Sequence, residues 1–73
     1  MTFQDLSLTA KVKSALAQAE DVSARDINVD AHNGIVDLKG DVSEKAHDEA
    51  IEVTRHVDGV KDIEDHLNIK SHM

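Results

Sequence analysis

The sequence predicts an α+β domain in which two helices pack on one face of a three-stranded β-sheet, in the order αββαβ. Two segments carry apolar residues at helical spacing, three segments alternate apolar and polar residues, and an Asn-Gly pair separates the first two alternating segments. Each helix and the sheet has one apolar face, so we expect a two-layer sandwich with a mixed sheet. The 73 residues suffice for one small domain, which we place at residues 5–70.

The first helix is predicted from an apolar stripe near the N-terminus. Its residues recur every three or four positions and fall within about 100° of arc: Leu8, Val12, Ala15, Leu16 and Ala19. Either Ser7 or Asp5 is expected to be the N-cap, because a short side-chain oxygen accepts a hydrogen bond from a free first-turn amide. Phe3 and Leu6 would then precede the helix, outside its core stripe.

The next two segments are predicted to form a β-hairpin. Asn33-Gly34 is typical of a type I′ turn, which needs a positive φ at both central residues. A two-residue turn pairs His32 with Ile35 and sets the register of both strands. In that register the apolar residues, apart from Ile35, share one face with Gly40: Ile27, Val29, Ala31, Val36 and Leu38.

The second helix is predicted to begin after Ser43, which can cap it, while Glu44 lies favourably at the positive end of the helix dipole. Gly59 is expected to end it, since glycine readily adopts the left-handed conformation of a helix stop. Its core stripe comprises Ala46, Ala50, Val53 and Val57.

The last strand is predicted from about residue 60 to 69, with Ile63, Leu67 and Ile69 on one face. Asp65 shares that face, and burying a carboxylate without partners is costly. We therefore expect a bulge or a late strand start near Asp65. A right-handed crossover through the second helix makes this strand parallel to the second strand. The pattern leaves open whether it pairs with strand one or strand two.

Several of these residues resemble the BON domain family of bacterial osmotic-shock and nodulation proteins. Its GxVxLxGxV core matches Gly34, Val36, Leu38, Gly40 and Val42, and its closing strand matches Gly59-Val60, Ile63, Leu67 and Ile69. Local structure also favours glycine at three of these positions: the turn at Gly34, the strand end at Gly40 and the helix stop at Gly59. The resemblance implies an αββαβ module that binds phospholipid or another envelope partner in an osmotic or envelope-stress context. It implies no catalytic residue.

Composition excludes several functions. A formal net charge of −7 argues against nucleic-acid binding, because proteins that bind nucleic acid usually have a basic surface. There is no cysteine, each serine fits a cap, helix surface or loop, and the glycines are isolated, so no enzyme and no cofactor is expected. No apolar run approaches the length of a membrane span. We expect a monomer or weak homo-oligomer, periplasmic if this is an excised mature domain and cytoplasmic if it is the full gene product.

Two surfaces contain candidate binding residues. Phe3, Leu6 and Lys11, with Lys13, could contact lipid at the start of the first helix. The polar sheet face could bind a cation through Asp30, His32, Asp37 and His66, which share it with Asn28, Asp62 and Glu64. A solvated acidic face is the simpler interpretation, although Asp30 opposite Asp37 is a like-charge pair that a cation would relieve. The alternatives to an envelope module are a cytoplasmic cation or small-ligand sensor, and a structural oligomerisation unit that pairs through a strand edge.

Overall fold

In the computed structural model the chain forms its helices and strands in the predicted order. The structure describes the backbone of residues 3–70 and the side chains of residues 6–70. The elements are helix α1 (Phe3–Gln18), a short 3₁₀ turn (Ala24–Asp26), strands β1 (Ile27–His32) and β2 (Ile35–Val42), helix α2 (Glu44–Arg55) and strand β3 (Asp62–Ile69). The predicted α+β fold is confirmed.

The sheet is mixed and has the strand order β1-β2-β3. β1 runs antiparallel to β2, and β3 runs parallel to β2. This order decides the pairing that the sequence pattern left open: β3 lies beside β2, so β2 is the central strand and β1 and β3 are the two edges.

The hairpin confirms the predicted turn and register. Asn33 has φ 54° and Gly34 has φ 84°, the two positive values that a type I′ turn requires. His32 pairs with Ile35, and Val29 pairs with Leu38. β1 therefore alternates strictly between buried and exposed residues.

The core lies between the inner face of the sheet and the two helices. Val12, Leu16, Val36, Leu38 and Ala50 have no accessible surface. The other buried apolar residues are Leu8, Val22, Ile27, Val29, Ala31, Val42 and Ala46. The opposite face of the sheet has no helix over it in the described chain, and this leaves a polar sheet face open to solvent.

The predicted start of α1 was wrong. The helix begins at Phe3, so Asp5 and Ser7 lie within it and neither is its N-cap, and Leu6 does not precede it. The segment from Phe3 to Ser7 has no glycine or proline, so nothing in it stops the helix from continuing towards the N-terminus.

Helix α2 begins as predicted. The Ser43 hydroxyl accepts a hydrogen bond from the Ala46 amide at 3.1 Å, which confirms the N-cap. The helix ends at Arg55 with His56 as its C-cap, four residues before Gly59, which was predicted to end it; Gly59 has φ 100° in the turn that follows. Thr54 has no accessible surface and was missed by the sequence analysis, which counted apolar residues alone. It lies one turn beyond Ala50, so its methyl group continues the buried stripe.

The predicted irregularity at Asp65 was wrong. The parallel register continues without a break from Ile35 and Asp62 to Val42 and Ile69. A carboxylate is tolerated on the helix-facing side because β3 is an edge strand that the helices only partly cover. Ile63 and Leu67 are half-buried, and Ile69 is 43% exposed. The strand begins two residues later than predicted.

The outer edge of β3 has two amides that are bonded by its own side chains. The Lys70 amide donates to the Val42 carbonyl. Because amides alternate in direction along a strand, those of even-numbered β3 residues point towards β2 and those of odd-numbered residues point outwards. The outward amide of Ile63 donates to the Asp62 carboxylate at 2.9 Å. That of Leu67 donates to the Asp65 carboxylate at 3.0 Å.

Gly40 was predicted to lie at the end of its strand. It lies inside β2, because the strand continues to Val42. Gly40 has φ 143° and pairs with Ile27. A Cβ at this position would lie 2.0 Å from the Asp26 carbonyl oxygen. The glycine is therefore required by the close approach of the backbone that leads into β1.

Candidate functional site

The outward side of α1 forms the first candidate surface, which we call the α1 surface and define by Leu6, Ala10, Lys11, Lys13 and Ser14. All five side chains are exposed, and Leu6 retains 55% of its accessible area. Leu6, Ala10 and Lys13 follow one another at intervals of four and three residues, so they form one row along the helix. An exposed leucine is thus placed beside a lysine. The side chain of Phe3, the third predicted lipid contact, lies outside the described side chains.

The α1 surface is free of acidic residues. Lys11 and Lys13 are the only charged residues between Leu6 and Ala19 in the sequence. The ion pairs seen among the described side chains do not include either lysine; those that involve Lys or Arg join Lys45 to Asp21 and Arg55 to Glu52. Among the side chains of residues 6–70, neither ammonium group is paired with a carboxylate.

The polar sheet face is the second candidate surface, and it is strongly acidic. Among the described residues it carries five carboxylates and a single lysine. Its members are Asn28, Asp30 and His32 on β1, Ile35, Asp37, Lys39 and Asp41 on β2, and Asp62, Glu64, His66 and Asn68 on β3. Asp30, Asp37 and Glu64 are direct neighbours across the three strands, so like charges lie side by side.

Within this face the structure brings together Asp37, Glu64 and His66, which we call the sheet triad. One ligand atom from each lies within 4.8 Å of the others. His66 Nε2 is 3.3 Å from the Glu64 carboxylate and 4.0 Å from that of Asp37. Of the four predicted cation ligands, Asp37 and His66 therefore meet, and Asp30 adjoins them through its pairing with Asp37.

His32 is not part of the sheet triad. It lies at the hairpin end of β1, and its Nε2 is 3.5 Å from the Asn33 side-chain amide. Glu64 takes its place in the cluster. Glu64 was predicted to lie on this face. Its position directly opposite Asp37 follows from the pairing of β3 with β2, which the alternation of apolar and polar residues did not determine.

A groove of about 510 Å³ between α2 and β3 is the third feature, and it contains the pairing of His47 with Asp65. His47 Nε2 lies 2.5 Å from the Asp65 carboxylate and His47 Nδ1 lies 3.0 Å from that of Asp48, so both nitrogens donate when the imidazole is protonated. The hydrogen bonds to Asp65 and then Asp48 raise the pKa of His47. Partial burial acts to raise the pKa of Asp65. The hydrogen bonds from His47 and the Leu67 amide outweigh it and hold the pKa of Asp65 below its usual value.

We expect the pair between His47 and Asp65 to stabilise the domain most in mildly acidic solution. The raised pKa of His47 gives stability that is complete below its unfolded value of 6.5 and is lost as pH rises through the folded value. The lowered pKa of Asp65 gives stability that is present above 3.8 and is lost as pH falls through the folded value. The pair therefore contributes most between these two limits.

The expected size is modest because Asp65 is 39% exposed and water screens the pair. His47→Gln should lower the free energy of unfolding by about 1 kcal/mol near pH 5.5 and by less near pH 8.5. Urea denaturation at both pH values measures the difference, with His32→Gln as the control, because His32 is exposed and forms no ion pair with a described carboxylate. An equal loss at both pH values would show that His47 acts through packing and not through its charge.

The described part of the chain has no helix that is both long and apolar enough to cross a membrane. The family model described as "BON domain" matches residues 4–71. The chain is also 36% identical over 67 residues to Osmotically-inducible protein Y of Escherichia coli (strain K12). That alignment covers 90% of this chain and 33% of the relative, so the chain spans about a third of the relative's length.

Proposed function

The chain belongs to the BON domain family, and from this premise we propose that it is a non-enzymatic binding module that contacts anionic phospholipid of the cell envelope through the α1 surface. The similarity to an osmotically inducible protein supports a place in the response to osmotic or envelope stress. A protein partner of the envelope that presents the same anionic groups is the nearest alternative.

The observation that carries this proposal is the local charge of the α1 surface, which differs from that of the whole domain and from that of the neighbouring α2, where Glu44, Asp48, Glu49 and Glu52 lie. The net charge of −7 would by itself repel an anionic membrane. Yet five carboxylates lie on the polar sheet face, and the helices lie on the other side of the sheet. The α1 surface, which faces away from the sheet, carries two lysines and no acid.

Distance limits the repulsion that the polar sheet face exerts on an anionic membrane. A helix with its side chains is about 10 Å across, and the Debye length is about 8 Å at physiological ionic strength. When the α1 surface touches a membrane, the carboxylates of the polar sheet face therefore lie beyond a Debye length from the headgroups. Each lysine near an anionic surface contributes about 1 kcal/mol, and Leu6 can add apolar contact at the headgroup level.

Sedimentation with vesicles tests the proposal. We expect the domain to bind vesicles that contain phosphatidylglycerol, to bind pure phosphatidylcholine much less, and to lose binding as salt is raised. Lys11→Gln with Lys13→Gln should weaken binding about tenfold or more, because two favourable lysine contacts are removed. The matched control, Lys39→Gln with Lys61→Gln, changes the net charge equally but lies off the α1 surface and should bind like the unmodified domain.

Two results would count against the proposal. Absence of binding to either vesicle would exclude direct lipid contact and leave a protein partner. Equal weakening by both double variants would show that binding depends on total charge and not on the α1 surface.

A further inference from the structure

We propose that the sheet triad of Asp37, Glu64 and His66 is a binding site for a first-row transition-metal dication of the Zn²⁺ type. This site lies on the side of the sheet opposite the α1 surface, so it does not depend on the proposed lipid contact. It would give the domain a second ligand of a different chemical class.

The geometry of the strands places the three ligands together without any loop. Glu64 and His66 are two residues apart on β3 and therefore point to the same side of the sheet. Asp37 is the direct partner of Glu64 on the parallel strand β2. The backbone ladder fixes both positions, and one donor atom from each residue lies within 4.8 Å of the other two. A single ion can contact all three after small side-chain rotations.

The surroundings of Asp37 supply an independent reason for a cation. The Asp37 side chain is 33% exposed, but its Oδ1 atom has essentially no accessible surface and no hydrogen-bond partner within the described residues, and His66 Nε2 lies 4.0 Å from it. Buried acceptors are ordinarily paired, because an unpaired one retains the full cost of losing water. Asp37 also has Asp30 on one side and Glu64 on the other. A bound dication would pair this oxygen and offset most of the negative charge of the row of three carboxylates.

The donor set selects the class of ion. One imidazole with two carboxylates suits Zn²⁺ and similar transition metals, whereas Mg²⁺ and Ca²⁺ prefer oxygen ligands throughout. His66 and Glu64 are about half exposed, so water can complete the coordination shell. Three protein ligands with open positions are typical of sites at which a metal binds reversibly or contacts a further ligand.

Calorimetric titration of the domain with Zn²⁺ in a non-coordinating buffer tests the proposal, and ¹H–¹⁵N NMR locates the site. We expect one ion per chain, with the largest shifts in β2 and β3 around the sheet triad. His66→Asn and Asp37→Asn should each weaken binding about tenfold or more, since even the loss of residues behind metal ligands costs 10- to 100-fold in affinity. His56→Asn, at an exposed histidine directly after α2, is the matched control and should bind normally. Mg²⁺ should not compete.

Thermal unfolding separates a ligand role from a structural one. Zn²⁺ should raise the unfolding temperature of the unmodified domain and not that of Asp37→Asn, because an ion that binds the folded state alone stabilises it. Without metal, Asp37→Asn should unfold at the same temperature as the unmodified domain or a higher one, since a like-charge neighbour is removed.

Three outcomes would overturn the proposal. One is absence of Zn²⁺ binding up to about 1 mM, the weakest affinity worth assigning to a site. Another is binding that His66→Asn and Asp37→Asn leave unchanged, which would place the ion at other histidines. The third is a rise in unfolding temperature with Zn²⁺ that is as large for Asp37→Asn as for the unmodified domain, which would place the stabilising ion elsewhere.

Discussion

Gly40→Ala is expected to remove about half of the domain's free energy of unfolding. The added Cβ would lie 2.0 Å from the Asp26 carbonyl oxygen, a backbone atom that cannot move without displacing the start of β1. The φ of 143° is in addition unfavourable for any residue with a side chain. Strain of this backbone type costs about 1–3 kcal/mol and a forced core displacement about the same again. A domain of this size has only about 4–11 kcal/mol of stability in total.

Far-UV circular dichroism and urea denaturation would measure the loss. Gly34→Ala is the matched control, because its added Cβ would meet only the flexible side chain of Lys61. Its φ of 84° still makes the substitution unfavourable, by about 1–2 kcal/mol, but the loss should be smaller than that of Gly40→Ala. A Gly40→Ala protein that unfolds cooperatively within a few degrees of the unmodified domain would contradict the close approach of Asp26.

Leu38→Ala should destabilise the domain by about 3 kcal/mol, whereas Leu67→Ala should cost about 1 kcal/mol. The two leucines lie on the same face of neighbouring strands, but Leu38 has no accessible surface and Leu67 is only half-buried. The difference arises because the helices cover the central strand β2 and leave the outer strand β3 partly open.

Urea denaturation of the two variants checks this contrast. Both lose the same chemical group from the helix-facing side of the sheet, so each serves as the other's control. Equal losses would mean that the helices cover β3 as fully as β2 in solution. Such a result would also remove the reason that Asp65 is tolerated on the helix-facing side.

The hairpin and both helices could be predicted from the sequence because their signals are local. Asn33-Gly34 determines the turn, the turn determines the register, and Ser43 determines where α2 begins. The pairing of β3 could not be predicted in this way, since either neighbour satisfies the alternation of apolar residues. The start of α1 was missed because a possible cap at Ser7 was given more weight than the absence of any helix breaker before it.

The candidate sites depended on contacts between distant parts of the chain. The alternation of side chains along the last strand correctly placed Asp65 on the helix-facing side. Its partner His47 is 18 residues away on α2, and no local pattern connects the two. The polar sheet face was identified as a possible cation surface with Asp37 and His66. Glu64 replaced His32 in the cluster because β3 pairs in parallel with β2, which determines which residues are neighbours across the strands.

The two aspartates that bond the outward amides of β3 also affect how copies of this domain behave in solution. A strand added to that edge would have to break the bonds at Ile63 and Leu67 and bring its backbone against two carboxylates. Edge strands guarded by charge in this way resist sheet extension from one molecule to the next, the first step towards fibrils. Self-association through a sheet edge is therefore disfavoured at β3, and at high protein concentration the shorter β1 is the edge at which it would begin.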